Sequence, residues 1–161
     1  MNTAYIALGA NIGDPTATVL AALAALANLT DSRVVHTSSL YRTAPVGLTN
    51  QPDFINAVVA LDTRLGPREL LEELFALEAR FGRERSVKNA PRTLDLDLLL
   101  HGDAIINHPA LTLPHPRMHE RAFVLAPLAE IAPSLVIPGR GPVAALLAAC
   151  ADQRIHPLTR Q

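Results

Sequence analysis

The segment Leu94-Asp-Leu-Asp-Leu-Leu-Leu100 restricts the fold more tightly than any other stretch of the chain. Apolar and acidic residues alternate with a period of two, the pattern of a strand with one buried face. Residues i and i+2 of a strand share a face, about 6.6 Å apart. Asp95 and Asp97 therefore stand on one side, and Leu94, Leu96 and Leu98 fill the other. Two carboxylates at about 6 Å repel by roughly 3 kcal/mol at an effective dielectric of about 20. A fold keeps them together only where water or cations relieve the repulsion. The plain reading is the solvated face of an edge strand. The sharper one is a site for hard divalent cations, which prefer oxygen ligands; Mg²⁺ in particular takes one or two carboxylates plus phosphate oxygens of a substrate.

The flank favours the sharper reading. Residues 82–93 open with Gly82 and carry Arg83, Arg85, Lys88 and Arg92 just ahead of the carboxylates. Metals neutralise some oxygens of a polyphosphate while arginine forks bind others bidentately, so a basic loop beside an acidic pair suits that ligand. A second polar group lies in Leu113-Pro-His-Pro-Arg-Met-His-Glu-Arg121. There His115 is held between two prolines, a stiff mount for placing an imidazole against a phosphate or ribose. Six histidines (36, 101, 108, 115, 119 and 156) show no metal-ligand spacing. Gly9-Ala-Asn-Ile-Gly13 matches neither the Rossmann nor the P-loop pattern, and is expected to be a tight turn.

The remaining pattern is mixed. A strand is expected at 5–8, and Asp14-Pro15 caps a helix striped by Val19, Leu20, Leu23, Leu26 and Ala27. Strands are expected at 33–42 and 54–63, separated by a loop over 43–52. Gly66-Pro67 starts a helix striped by Leu70, Leu71, Leu74, Leu77 and Phe81, stopped by Gly82. Residues 104–118, with Pro109, Pro114 and Pro116, are expected to be irregular with short extended pieces. A helix over 120–131 should be ended or kinked by Pro127. A turn-rich strand region follows at 133–142, a short helix at 143–151, and the last ten residues read as a tail. No linker divides the 161 residues, so one domain is expected.

Composition narrows the function classes. Fourteen Lys+Arg against fifteen Asp+Glu, with no Trp, give neither the basic surplus nor the stacking rings of a nucleic-acid binder. A single cysteine, Cys150, allows no intrachain disulfide and reads as a small buried hydrophobe. Without a signal-like start or a long apolar run, a cytoplasmic protein off the membrane is expected.

Together these residues resemble the 6-hydroxymethyl-7,8-dihydropterin pyrophosphokinase family of folate biosynthesis. The likeness runs through Tyr5-Ile-Ala-Leu-Gly-Ala-Asn11, Ser38-Ser-Leu-Tyr-Arg-Thr43, Gln51-Pro-Asp-Phe-Ile-Asn-Ala57, Pro91-Arg-Thr-Leu-Asp-Leu-Asp97, Leu113-Pro-His115 and Arg121-Ala-Phe-Val-Leu-Ala-Pro-Leu128. The resemblance implies an α+β, ferredoxin-like fold, with a central, mostly antiparallel sheet and helices on its faces. It implies transfer of the β,γ-pyrophosphoryl unit of ATP to the pterin hydroxymethyl group, releasing AMP, in a monomer whose partners are these two small molecules. By the same likeness Asp95 and Asp97 hold two Mg²⁺ ions, and Arg83 and Arg92 clamp the phosphates. Thr43, Val46, Phe54, Asn56 and Phe123 line the pterin pocket. Glu78, Arg85, Leu98, Thr112, His115 and Arg121 serve the nucleotide. The chain departs from the family pattern at Ala44, Asn89-Ala90, Ala110 and Pro116, which implies a shifted ATP affinity. The alternatives are a pterin- or nucleotide-binding module without catalysis, and a metal-dependent phosphohydrolase built on Asp95 and Asp97.

Overall fold

The computed structural model describes residues 1–44, 52–82 and 94–158. Its elements run β1 (Asn2–Ala10), α1 (Pro15–Ala27), β2 (Ser32–Thr37), β3 (Tyr41–Thr43), β4 (Phe54–Thr63), α2 (Pro67–Arg80), β5 (Asp95–His101), β6 (Ile106–His108), β7 (Leu111–Leu113), α3 (Ala122–Ile131), β8 (Val136–Ile137), β9 (Gly141–Pro142), α4 (Val143–Ala148) and β10 (Ile155–Pro157), with a 3₁₀ turn at Met118–Glu120. The main sheet is ordered β10-β3-β4-β1-β5, and β2 also pairs with β4. Every pairing in it is antiparallel. With β2 and β3 taken as one broken strand, the first five elements of the sheet form the ferredoxin-like order expected.

The sheet buries both faces. Ile55, Ala57, Val59 and Leu61 of β4 alternate into a core shared with Leu26 of α1 and Leu70 and Leu74 of α2. Leu94, Leu96 and Leu98 join the same core, as their period of two requires. On the opposite face Ala7, Val58, Leu99 and Leu100 pack under Leu125 and Leu128 of α3 and Val143 of α4. The β1–β5 register slips by one residue between Tyr5 and Ile6, leaving Leu99 as the extra residue of a bulge. That is why two successive leucines, 99 and 100, reach one core.

Local chemistry explains the helix ends. Asp14 accepts a hydrogen bond from Ala17 N–H at 3.1 Å, capping α1 ahead of Pro15. Gly82, at φ +87°, follows the last turn of α2. The first N–H of α3, on Ala122, is met by the Gln153 side-chain oxygen at 2.9 Å.

Four expectations differ from the structure. The strand expected at 5–8 continues through Gly9 to Ala10, because Gly9 pairs on both sides and lies in no turn. The strand expected at 33–42 is broken at Ser38, whose Oγ accepts the Val58 N–H that a backbone carbonyl would otherwise take. Pro127 sits buried inside α3 without ending it. Of the last ten residues, read as a tail, Ile155–Pro157 pair with β3 as an edge strand, and Leu158 N–H bonds Leu40 C=O.

Candidate active site

The antiparallel registers place Tyr41, Asn56, Gly9 and Asp95 in one row across the sheet, and Val58, Ala7 and Asp97 in the next. Directly paired residues share a face, so both carboxylates point to the side that carries α3. Helices α3 and α4 cover Val58 and Ala7 but the row beyond them is polar. Here Asn56 is buried and its Nδ2–H donates to the buried Thr43 Oγ1 at 2.8 Å. Its other end, Oδ1, stands over Gly9: a Cβ there would meet it at 3.1 Å. The missing side chain of Gly9 thus forms the floor of a shallow slot, with Asn56 presenting a carbonyl oxygen into it. Phe54 pairs with Thr43 at the slot's end, and Phe123, in the first turn of α3, packs on the second core. The Arg121 guanidinium lies 5.5 Å from the centre of the Phe123 ring, within cation–π range.

A second compartment wraps the outer edge of β5. It is a cleft of about 250 Å³ between Leu71 and Phe75 of α2, Leu96, Asp97 and Leu98 of β5, the hairpin residues Pro109 to Thr112, and His115 and Pro116. The bulge builds it: the Leu99 carbonyl accepts the His115 N–H at 2.9 Å, fixing that loop against the strand. His115 Nδ1 accepts from Arg117 N–H at 3.2 Å, which leaves the proton on Nε2. Burial, then the nearby guanidinium groups of Arg121, Arg140 and Arg117, push its pKa down to about 4. At neutral pH His115 is therefore an uncharged N–H donor.

Of the residues expected from sequence, Asp97, Leu98, Thr112 and His115 line this cleft, along with the departures Ala110 and Pro116. Asp95, Thr43, Phe54 and Asn56 gather at the slot. Arg121 stands near both His115 and Phe123, at the joint between the compartments. Glu78 is not in either: it is wholly buried and accepts the Leu96 N–H at 2.9 Å, bracing β5 from the α2 side. Val46, Arg83, Arg85 and Arg92, and the departures Asn89 and Ala90, lie outside the described residues. Sequence reading missed Gly9, assigned to a turn, and the cleft residues Leu71, Phe75, Pro109 and Leu111. The first two of those four carried only a helix-stripe or surface signal.

The cleft and the polar row share β5, the strand that carries both carboxylates, a layout that suits a two-substrate group-transfer enzyme. One is lined by apolar side chains and a neutral imidazole, the other floored by a glycine and edged by an amide.

Comparison with known proteins narrows this class. Residues 5–133 match the family described as 7,8-dihydro-6-hydroxymethylpterin-pyrophosphokinase. The chain is 45% identical over 158 residues to the Haemophilus influenzae 2-amino-4-hydroxy-6-hydroxymethyldihydropteridine pyrophosphokinase, covering 98% of this chain and 99% of that one. It is 46% identical over 154 residues to the Pseudomonas aeruginosa enzyme of the same name, covering 96% and 95%. Among solved structures, the Plasmodium falciparum HPPK-DHPS with pteroate superposes with a TM-score of 0.74 at 14% identity, over 92% of this chain and 42% of that longer one. A second HPPK-DHPS, in complex with substrates, gives 0.76 at 13% identity, over 94% and 43%. These two likenesses establish the fold.

The chain belongs to the 7,8-dihydro-6-hydroxymethylpterin-pyrophosphokinase family. It is a transferase of folate biosynthesis, acting on small molecules with ATP as co-substrate.

Proposed function

We propose that the 161 residues work as one catalytic domain that holds ATP along the β5 edge and the pterin in the slot over Gly9. The hydroxymethyl oxygen then attacks the β-phosphorus, pyrophosphate moves to the pterin, and AMP departs. The observation that carries this reading is the position of Asp95 and Asp97, one row apart between the two compartments. The apolar walls from Leu71, Phe75, Leu96, Leu98 and Leu111 suit a purine base. The neutral Nε2–H of His115 suits a phosphate oxygen, and the adjacent Arg121 adds charge. Asn56 reads the amide edge of the flat ring, and Phe54 and Phe123 supply apolar surface for its faces.

The donor set also supports magnesium as the cofactor. Among the described residues no group of three or more His, Cys, Asp or Glu could enclose a metal ion. Two neighbouring carboxylates alone match Mg²⁺, which keeps several waters and completes its shell with substrate phosphates. Two such ions would be held by Asp95 and Asp97. When bound, they would neutralise charge on the triphosphate during transfer. Arg83 and Arg92 precede the carboxylates in sequence and are proposed to clamp the same phosphates; Glu78 supports β5 from behind, and Arg85 is assigned to the nucleotide. Ala110 and Pro116 on the cleft rim are expected to shift ATP affinity.

We further read the protein as a cytoplasmic monomer that takes neither nucleic acid nor membrane as partner. Among the described residues no helix is long and apolar enough to cross a membrane.

The deciding assay supplies ATP, Mg²⁺ and 6-hydroxymethyl-7,8-dihydropterin and resolves AMP from ADP and phosphate. AMP formed only with the pterin is the expected result. Phosphate or ADP release without it would indicate a hydrolase, and binding without turnover a module that has lost catalysis.

A further inference from the structure

The slot has two walls on different elements, and one side chain joins them. Its sheet wall is β3 with β4, where Thr43 sets the Asn56 amide. In the reading above its helix wall is α3, which bears Phe123 in its first turn. Glu130 follows Phe123 by seven residues, two helical turns or about 10.5 Å along the axis, and therefore lies on the same face of α3. Its carboxylate collects three donors from the sheet side. Ser39 N–H approaches both oxygens, at 3.1 and 2.9 Å. Ser39 Oγ–H donates to Oε2 at 2.9 Å, and Tyr41 Oη–H to Oε1 at 2.6 Å.

Tyr41 pairs with Asn56 across the sheet, and two residues on Thr43 pairs with Phe54. The three-residue strand is also held by its ladders to β4 and β10 and by the Thr43–Asn56 hydrogen bond. Ser39 lies at the break between β2 and β3, so the same carboxylate anchors the strand just before it begins. Burial and the neighbouring carboxylate raise the Tyr41 pKa, which keeps the phenol a donor.

We propose that Glu130 is a positioning residue for the known reaction: its clasp on Ser39 and Tyr41 sets the distance between α3 and β3, and so the width of the pterin slot. This rests on the slot reading given above. The clasp is solvent-exposed, so water can satisfy donors released by mutation. Its loss should therefore appear in ligand geometry more than in folding stability.

The test titrates 6-hydroxymethyl-7,8-dihydropterin and, separately, a non-hydrolysable ATP analogue into wild type, Glu130→Gln, Tyr41→Phe, the Glu130→Gln/Tyr41→Phe double variant and Asn56→Ala. Glutamine offers one oxygen and one NH₂, so a donor must face a donor. Glu130→Gln should weaken pterin binding about tenfold, the scale of one charge-assisted hydrogen bond. ATP-analogue binding should stay within about twofold. Tyr41→Phe removes one hydroxyl and should act in the same direction by about threefold, and the double variant should lose less than the two effects combined. Should Glu130→Gln not fold, Tyr41→Phe decides alone. Wild-type pterin affinity in Glu130→Gln, with Asn56→Ala impaired, overturns the clasp and leaves the slot standing. Equal loss of both ligands overturns it too, as a general structural defect. If Asn56→Ala itself binds pterin normally, the slot reading fails and the clasp with it.

Discussion

Replacing Gly9 with alanine tests the slot at its floor. The new Cβ would lie 3.1 Å from Asn56 Oδ1, and Gly9 is not in the left-handed region, so its backbone accepts alanine. The close contact must be relieved by a few tenths of an ångström. Asn56 cannot yield freely, because its Nδ2–H is tied to Thr43 Oγ1 at 2.8 Å and the residue is buried. Either that bond lengthens or the amide turns, and in both cases the oxygen offered to the ligand moves while a methyl group raises the floor. Folding stability should change little. Alanine in a strand recovers about 0.5–1 kcal/mol of backbone entropy, which offsets a contact strain of similar size. Pterin binding loses one hydrogen bond and part of the slot's depth, about 1.4–2.8 kcal/mol or 10- to 100-fold. The measurement pairs a pterin titration, followed by the ligand's own fluorescence, with thermal midpoints of both proteins. An affinity equal to wild type in a folded Gly9→Ala protein would refute the assignment of this row to the pterin.

Other outcomes follow from the same geometry. Asp97→Ala should cut turnover at least about 100-fold, since electrostatic stabilisation of transferring phosphates dominates such reactions; pterin affinity should shift less than about threefold, and near-normal turnover at saturating Mg²⁺ would remove Asp97 from the machinery. Glu78→Ala strands the buried Leu96 N–H and should cost about 1–3 kcal/mol in urea unfolding, with Glu78→Gln losing less because it keeps an acceptor. For His115 the folded pKa of about 4 lies below the ordinary 6.5. Between those values the unfolded chain binds a proton that the folded chain does not, so stability falls as pH drops from 6.5 towards 4 and is unaffected by this group above 6.5. His115→Gln should flatten that limb of a plot of urea midpoint against pH; an unchanged slope would show that the imidazole titrates normally.

Much of this fold could be read before any coordinates. The period of two in 94–98 set the faces of β5 correctly as far as the bulge, with Leu94, Leu96 and Leu98 in the first core and Asp95 and Asp97 on the opposite side. Asp14-Pro15 and Gly66-Pro67 marked their helix starts through local capping and proline chemistry. What stayed hidden depends on partners far away in sequence. Ser38 breaks its strand only because the Val58 N–H donates to the Ser38 hydroxyl oxygen in place of a backbone carbonyl. Pro127 survives in α3 because Val124, Leu125 and Leu128, packed in the second core, and the Gln153 cap hold the helix around it. The short β10, with Pro157 in it, has no strand signature of its own and exists through β3. In the site, the paired aspartates were visible as an i, i+2 pattern, whereas Gly9 looked like a turn until its two neighbours, Asn56 and Asp95, were known.

The bulge at Leu99 links these observations causally. A regular ladder would keep alternating along β5 and leave every carbonyl on the outer edge facing the same way. Inserting one residue lets Leu99 and Leu100 both enter the core beneath α3. That anchors the strand directly after Asp97. The same insertion presents the Leu99 carbonyl to His115 N–H. Arg140 then fixes the loop from outside, donating to the His115 carbonyl at 2.6 Å and meeting His119 Nδ1 at 2.7 Å. The imidazole in the cleft and the carboxylate beside it are thus referenced to one strand, two residues apart, and not to separate loops. Sites mounted on a rigid element hold their geometry better than sites carried by loops, and transfer between two substrates rewards that accuracy at the point where they meet.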